Sequence, residues 1–480
     1  MTQKVSCATD NIFKDSAIYP VSPNKKSVYF IGIGGMGMSA LARYFLALKW
    51  CVFGSDIVKS VVTQKLIEDG VKVKIGSKSS NLSSKPADLV IYSQAIKASN
   101  LELKKAKQIG IPTLSYPEAA GRLTEEYKTI AVAGAHGKST TTALIGLMLI
   151  KAGFNPTVIL GTNLKEFGGR NFRKGESDYL TLEADEWRAA FLHYSPTFTI
   201  VTNIDREHLD FYRNLGDIKK TFIKFISRTK KGGVLILNRD NKILRSLKSK
   251  IQQLSHKREL KLAWYSLEQP VAKKIKKIIK VSGEHNVSNA LAVYTLGRKL
   301  KIPEKVILST ILAYRGAWRR MEYRGKLRTP NSKFQVRVYD DYAHHPTEIK
   351  ATLCAFREKF PKSRIICVFQ PHQARRLEIL FKDFKDAFDK ADILVLLPIY
   401  QVAGRDIINK HFTSIALSQA IRKKYPGKPV AYLQNPKNLK KLLTKIVQMI
   451  SINSNLYSLP HIVVMMGAGD IVKYTDSLIK

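Results

Sequence analysis

Cysteine is rare in this chain, with four among 480 residues. Cys7, Cys51, Cys354 and Cys367 are scattered, which excludes a disulfide scaffold and a zinc ribbon. Three of them sit in or beside apolar stretches, where a buried thiol is expected, and the compartment implied is a reducing one, the cytoplasm. Long apolar runs are missing too. Ala143–Ile150 is among the longest, well short of the ~18 residues of a membrane span. The Met1–Phe13 stretch is polar and lacks the apolar core of a secretory signal. Acidic residues are scarce, 38 Asp and Glu against 80 Lys and Arg, for a formal net charge of +42. Such an excess suits nucleic-acid binding. Yet the lysines are spread along the chain, with one dense run at Lys273–Lys280, and no helix-turn-helix, zinc finger or aromatic RNA-binding motif accompanies them. A solvated, Lys-rich surface is the expectation, and anionic substrates would gain from its field.

What is present is nucleotide chemistry. The apolar run Thr129–Val132 enters Gly134-Ala135-His136-Gly137-Lys138-Ser139-Thr140, and a helical pattern follows. Strand, Gly-rich turn, then Lys-Ser opening a helix is an arrangement that binds nucleotide phosphates. Backbone N–H groups face the anion, Lys138 reaches the terminal phosphates and Ser139 can hold Mg²⁺. The strict pattern needs Gly where Val132 stands, so this is a shortened P-loop with a histidine inside it. Earlier in the chain, Val28–Ile31 leads into Gly32-Ile33-Gly34-Gly35-Met36-Gly37. A second strand, Cys51–Phe53, ends at Asp56, nineteen residues after Gly37. That is a dinucleotide-type turn with an acidic residue placed for a ribose, and any nucleotide diphosphate would fit it.

Strand and helix patterns alternate throughout, so the fold class is α/β with parallel sheets covered on both faces. Length suggests about three domains, and the segments are 1–125, 126–325 and 326–480. Expected strands include Asp88–Tyr92, Tyr179–Glu183, Phe198–Asn203, Val234–Asn238, Gln335–Tyr339, Arg364–Phe369, Ile393–Leu397, Pro429–Leu433 and Ile462–Met466. The region around Pro112 and Pro117 reads as a linker, and Thr329–Ser332 as a turn. Glu183 and His208 fall at strand ends beside the P-loop, where with Ser139 they could hold one or two Mg²⁺ ions. Asn286, in a helix start at Gly283–Ala290, could read a base edge. Asp340-Asp341-Tyr342-Ala343-His344-His345-Pro346-Thr347-Glu348 puts two carboxylates and two imidazoles at one strand end. Adjacent histidines rarely share a metal, so zinc is not expected. Gln370–Arg376 brings cations to the same edge.

These motifs, in this order and over nearly the whole chain, resemble the Mur ligase family. The resemblance implies a Rossmann-like UDP-binding domain, a central P-loop ATPase domain with a parallel sheet and a C-terminal Rossmann-like domain. The implied activity is ATP-dependent ligation in peptidoglycan precursor synthesis, with ATP and Mg²⁺. The implied partners are the small molecules UDP-N-acetylmuramate, L-alanine and ATP, with no specific nucleic acid and no membrane insertion. By the same resemblance, Gly32, Gly34, Gly35, Gly37 and Asp56 hold the UDP-sugar, and Gly134–Thr140 hold ATP. Asn286 lies on the adenine side, Arg320 near the γ-phosphate and Asp341 on the ribose. Glu183 and His208 match Mg²⁺ positions, while His344, His345 and Arg376 match amino-acid and acyl contacts. A base for the incoming amine is expected among Asp340, Asp341, His344 and His345. Two departures fall near the expected cleft: Arg188 where the family carries a carboxylate, and Gln373 where it often carries arginine. Rival readings are a ligase adding a whole tripeptide to the same sugar, a dehydrogenase, and a nucleic-acid-binding P-loop ATPase.

Overall fold

The computed structural model describes residues 26–82, 87–327, 335–401, 409–452 and 461–479. Cys7, the Met1–Phe13 stretch and the turn at Thr329–Ser332 lie outside them. The described residues build three sheets, each flanked by helices on both faces. The first contains β1 (Ser27–Ile31), β2 (Cys51–Asp56), β3 (Lys72–Ile75), β4 (Leu89–Tyr92) and β5 (Thr113–Ser115), in the order β3-β2-β1-β4-β5 and all parallel. Chain order reverses at β1, so the crevice that receives ligands in such sheets opens beside the Gly32–Gly37 turn.

The second sheet holds β6 (Lys128–Ala133), β7 (Thr157–Leu164), β8 (Arg170–Arg173), β9 (Tyr179–Ala184), β10 (Phe198–Val201), β11 (Val234–Asn238) and β12 (Lys261–Tyr265). Its order is β12-β11-β10-β6-β9-β7-β8. The third holds β13 (Glu322–Leu327), β14 (Val336–Asp341), β15 (Ile365–Phe369), β16 (Ile393–Leu396), β17 (Val430–Tyr432) and β18 (His461–Met466), ordered β13-β14-β18-β15-β16-β17. Their inner strands are continuous apolar runs such as Ile-Ile-Cys-Val-Phe, as burial on both faces requires. Two edge strands depart from the all-parallel expectation: β8 and β13 each run antiparallel to their neighbour.

The stretch read as a linker is structured. Thr113–Ser115 completes the first sheet, and Tyr116–Glu126 is a helix. Ser115 and Glu118 form a capping box, and Pro117 sits in the first turn, where its missing N–H costs no hydrogen bond. The expectation of buried thiols also needs correction. Cys367 is buried in β15, but Cys51 and Cys354 are exposed. Cys51 opens its strand at the sheet's rim, and Cys354 faces out from the helix Pro346–Lys359, between buried Leu353 and Ala355. The lysine run forms the helix Pro270–Ile278, with Ala272 and Ile275 buried and Lys273, Lys274, Lys276 and Lys277 facing solvent.

One hydrophobic cluster is common to the first two sheets, joining Phe45 and Trp50 to Phe191 and Phe225. Over it, Arg43 donates from Nε to Asp69 at 2.7 Å and from Nη1 to Asn171 Oδ1 at 2.7 Å, while Asn171 Nδ2 donates to Met36 O at 2.7 Å. Met36 belongs to the glycine turn. These bonds therefore fix that turn against the second sheet and aim the first segment's strand ends at the P-loop.

Candidate active site

The P-loop leaves β6 at the centre of its sheet. Gly137 caps the helix Lys138–Lys151 at φ +83, and a Cβ there would meet Asn289 Oδ1 at 2.4 Å. Only glycine satisfies both the left-handed backbone and that close approach. Lys138 Nζ donates to Gly134 O at 2.6 Å and to Glu186 Oε2 at 2.8 Å. Ser139 Oγ donates to Glu183 Oε2 at 2.9 Å, and Gly161 N–H donates to the other carboxylate oxygen at 2.5 Å. Ala135 N–H is tied to Asn203 O at 3.3 Å, and His136 N–H to Asn203 Oδ1 at 2.9 Å.

Around Lys138 the charges are dense. Burial opposes ionisation of Glu186, but Lys138 and His208 together outweigh it and hold the carboxyl down at about 2. Burial alone raises Glu183. His208, at φ +55, directs Nε2 to Glu186 Oε1 at 3.5 Å and Asp185 Oδ1 at 3.9 Å, not to Glu183. The expected trio Ser139, Glu183 and His208 is thus split into a Ser139–Glu183 pair and a cluster of Asp185, Glu186 and His208, whose ligand atoms lie within 4.8 Å of one another. Glu186 was not expected as a site residue, although it lies between Glu183 and Arg188, both singled out from the sequence. Arg188 donates to Gln94 O at 2.9 Å and lies over the Trp187 ring, so it joins the first segment to the second.

The third segment meets the P-loop through Glu348, which lies in the His-His-Pro motif but was assigned no role from sequence. Glu348 Oε1 is 3.3 Å from His136 Nδ1 and 3.8 Å from Arg320, while Oε2 accepts from His344 N–H at 3.1 Å. On its other side, His136 Nε2 is 3.1 Å from Asp205. Burial works against charge on His136, but the two carboxylates prevail and push the imidazole up to about 10 from an ordinary 6.5. The stability this imidazolium adds is therefore complete below about pH 6.5 and is lost as pH rises through about 10. The difference in Tm between wild type and His136→Asn should be largest below pH 6.5 and shrink towards zero above pH 10. A difference that widened with pH would refute the charge on His136.

Two cavities flank Glu348. One, of about 330 Å³, runs from Ser139 past Asn286 and His285 to Asp341 and Arg320. Asn286 donates from Nδ2 to Ser282 O at 2.7 Å, which leaves its carbonyl oxygen for a ligand. Asp341 is only 2% exposed and accepts from Met321 N–H and Ala343 N–H, each at 2.9 Å, so its carboxylate is already held in place. The other cavity, of about 380 Å³, is the meeting point of all three segments and is lined by Gly37, Lys138, Glu183, His208, His344 and Arg376. A Cβ on Gly37 would strike the Tyr116 ring at 2.6 Å, which explains glycine at this corner. Asp56 turns back on the first glycine turn and accepts from Gly34 N–H at 2.8 Å.

Arg376 is committed. Its Nε and Nη2 donate to Glu207 Oε1 at 3.0 and 2.6 Å, and Nη1 donates to His372 O at 2.9 Å. Gln373, at φ +69, starts its helix. Beyond the Arg376–Glu207 pair lies a further cavity of about 650 Å³, lined in part by Arg206, Arg375 and Asn409. His345 caps the helix Pro346–Lys359 with its ring 4.9 Å from that of His136.

The chain matches three family models: "Mur ligase family, catalytic domain" over residues 27–128, "Mur ligase middle domain" over 132–297, and "Mur ligase, glutamate ligase domain" over 319–469. UDP-N-acetylmuramate–L-alanine ligases of a Sulfurihydrogenibium species and of Persephonella marina are each 36% identical over 466 residues. The alignments cover 95% and 94% of this chain and 97% and 96% of the relatives. Among solved structures, the UDP-N-acetylmuramate–alanine ligase of Thermotoga maritima superposes with a TM-score of 0.73 at 24% identity, over 94% of this chain and 98% of that one. A murein peptide ligase of Psychrobacter arcticus gives 0.66 at 22% identity, over 94% and 98%.

Proposed function

The chain belongs to the Mur ligase family, and from that premise we propose that it joins L-alanine to the muramoyl carboxylate of UDP-N-acetylmuramate at the expense of ATP. The observation that carries the reading is the convergence of three strand-edge loops on one 380 Å³ cleft: a diphosphate turn, a P-loop and a basic, histidine-rich edge. Ligation through an acyl phosphate needs those three functions within one reach. ADP, phosphate and the amide are the products. The domains assigned are 1–125 for the UDP-sugar, 126–325 for ATP and 326–480 for closure over both.

The first glycine turn, with Asp56 bracing it, holds the diphosphate. Lys138 and the backbone N–H groups of the P-loop hold the ATP phosphates as charge shifts from the γ-phosphate to the muramoyl oxygen. Asn286 and its neighbours face the base end of the 330 Å³ cavity, and Arg320 points from the same cavity to the phosphate side. The donor set fits Mg²⁺: a hydroxyl and a carboxylate already paired at Ser139–Glu183, and Glu186 Oε1 with only His208 Nε2, at 3.5 Å, as partner. When bound, the ion would neutralise and orient the phosphates, held by the Ser139–Glu183 pair on one side and by His208, with Glu186 beside it, on the other. The edge from His344 to Arg376 holds the amino acid. Nothing in this machinery calls for nucleic acid, and no described helix is long and apolar enough to cross a membrane. The cytoplasm, where nucleotide substrates are present, is the compartment proposed.

The cavity beyond Arg376 gives the tripeptide reading some room, but the relatives at 36% identity carry the alanine name. The test is ADP release with Mg²⁺, which should require both UDP-N-acetylmuramate and L-alanine. ADP release independent of the sugar would refute the proposal. Glu183→Ala should shift the Mg²⁺ dependence to higher concentration while leaving UDP-N-acetylmuramate affinity near wild type. Full activity of that variant at low Mg²⁺ would remove Glu183 from the metal assignment.

A further inference from the structure

Formation of the amide releases a proton from the attacking nitrogen, and the sequence leaves four candidates to receive it. Resting on the ligase reading above, we propose that Nε2 of His344 is the acceptor and that Glu348, with the carbonyl of Tyr342, fixes the tautomer that makes it one. The argument is one of hydrogen-bond polarity. His344 Nδ1 lies 3.0 Å from Tyr342 O and 3.2 Å from Glu348 Oε2. Both are acceptors, so Nδ1 carries the hydrogen and the lone pair sits on Nε2. Glu348 is itself held by the His344 N–H, which makes the orientation rigid.

The other groups are spoken for. His345 has the opposite tautomer: Nδ1 accepts from Thr347 N–H at 3.2 Å, so Nε2 bears the hydrogen and donates to Arg206 O at 3.2 Å. His372 Nδ1 faces the Arg376 guanidinium at 3.3 Å and its ring stacks on Tyr400. His136 has a carboxylate at each nitrogen, and His208 faces Glu186 and Asp185. Asp340 is bound by Arg324 and Thr475, and Asp341 by two backbone N–H groups and Thr352. Among the described residues lining the cleft, His344 presents a lone pair that meets no donor, while His208, whose Nε2 faces two carboxylates, belongs to the Asp185–Glu186 cluster assigned to the metal.

The ring is neutral where it works. Burial pushes His344 down to about 4, with Glu348 and Glu207 opposing and Arg376 adding to the effect; His372 and Tyr342 pack beside it. So weak a base does not deprotonate a free ammonium ion. It suffices for a nitrogen made cationic by bond formation, which is a far stronger acid. The neutral amine of alanine attacks the acyl carbon, its lone pair forming the C–N bond while the carbonyl π pair moves to oxygen. The cationic nitrogen passes a proton to His344 Nε2. The carbonyl re-forms, the C–O bond to phosphate breaks, and the imidazolium returns the proton to the departing phosphate.

The test separates the two half-reactions. In His344→Ala and His344→Gln, alanine-dependent amide formation should fall by about 10²–10⁴-fold, the range for loss of a general base. Trapping of the acyl phosphate by hydroxylamine, whose adduct loses its proton readily to water, should persist in both. Imidazole in the buffer should restore part of the alanine rate to His344→Ala. Glu348→Gln should lower the ratio of amide to hydroxamate, and Glu348→Asp should recover it. Hydroxamate falling as far as amide, or an unchanged alanine rate, would overturn the assignment. A wild-type enzyme that formed hydroxamate but no alanine amide would instead overturn the ligase reading beneath it.

Discussion

Lys138→Ala is expected to lower turnover by about 10³-fold or more, the scale for removing a preorganised charge from a developing phosphoryl transition state. Its ammonium group is positioned by Gly134 O at 2.6 Å and Glu186 at 2.8 Å before any substrate arrives, so little reorganisation is left to the reaction. The same pairing complicates the variant. Glu186 is 2% exposed, and removing Lys138 leaves its charge with His208 alone opposite it, a destabilisation in its own right. The double variant Lys138→Ala with Glu186→Gln removes that charge; it should recover Tm without recovering turnover. Affinity for UDP-N-acetylmuramate should change little in either, because the glycine turn is anchored separately through Asn171 and Met36. Calorimetric binding of the sugar nucleotide beside steady-state turnover distinguishes these effects. Recovery of turnover in the double variant would mean that Lys138 acts only through the fold.

Arg376→Ala should raise the KM for L-alanine roughly 10- to 150-fold, corresponding to loss of one charged hydrogen bond at about 1.5–3 kcal/mol. The α-carboxylate of the amino acid needs a guanidinium, and Gln373 stands at the neighbouring position. Because Arg376 is already engaged by Glu207 and by His372 O and Nδ1, its fork is held still and one Nη2 hydrogen is left to present. Arg376→Lys keeps the charge but not the fork and should fall between wild type and alanine. The KM for ATP, whose cavity lies across Glu348, should stay near wild type in both variants. Glycine and L-serine should be the nearest competing substrates, since a pocket discriminates a single methyl by only ~1–3 kcal/mol. An unchanged KM for alanine would remove Arg376 from the amino-acid site.

The parts of this architecture legible in the sequence were those where local chemistry dictates local geometry. Gly32–Gly37 and Gly134–Thr140 each follow an apolar strand and open a helix, and both turns lie where that pattern places them. Asp340–Glu348 likewise bridges β14 and the helix Pro346–Lys359. The misreadings have physical causes. Pro112 and Pro117 suggested a linker, but Ser115 and Glu118, three residues apart, were the signal of a helix start. Edge strands β8 and β13 are short and polar, and each pairs antiparallel with the strand next to it in the chain, β7 and β14, an arrangement that needs no crossover helix to signal a separate strand. The acidic partners of the site escaped because they pair across long stretches of chain. Nothing local to Glu186 announces Lys138, nor does Glu207 announce Arg376, which lies 169 positions away. The opposite tautomers of His344 and His345, adjacent in sequence, are set entirely by which donor or acceptor each ring nitrogen meets.

The most direct test of the account is the mass of the product formed from UDP-N-acetylmuramate and ATP when L-alanine and the L-alanyl tripeptide compete at equal concentration. The account predicts the alanine adduct, formed with one ADP per amide and indifferent to added DNA or RNA. Exclusive formation of the tripeptide adduct, or ATP turnover that rises with a polynucleotide and yields no amide, would contradict it.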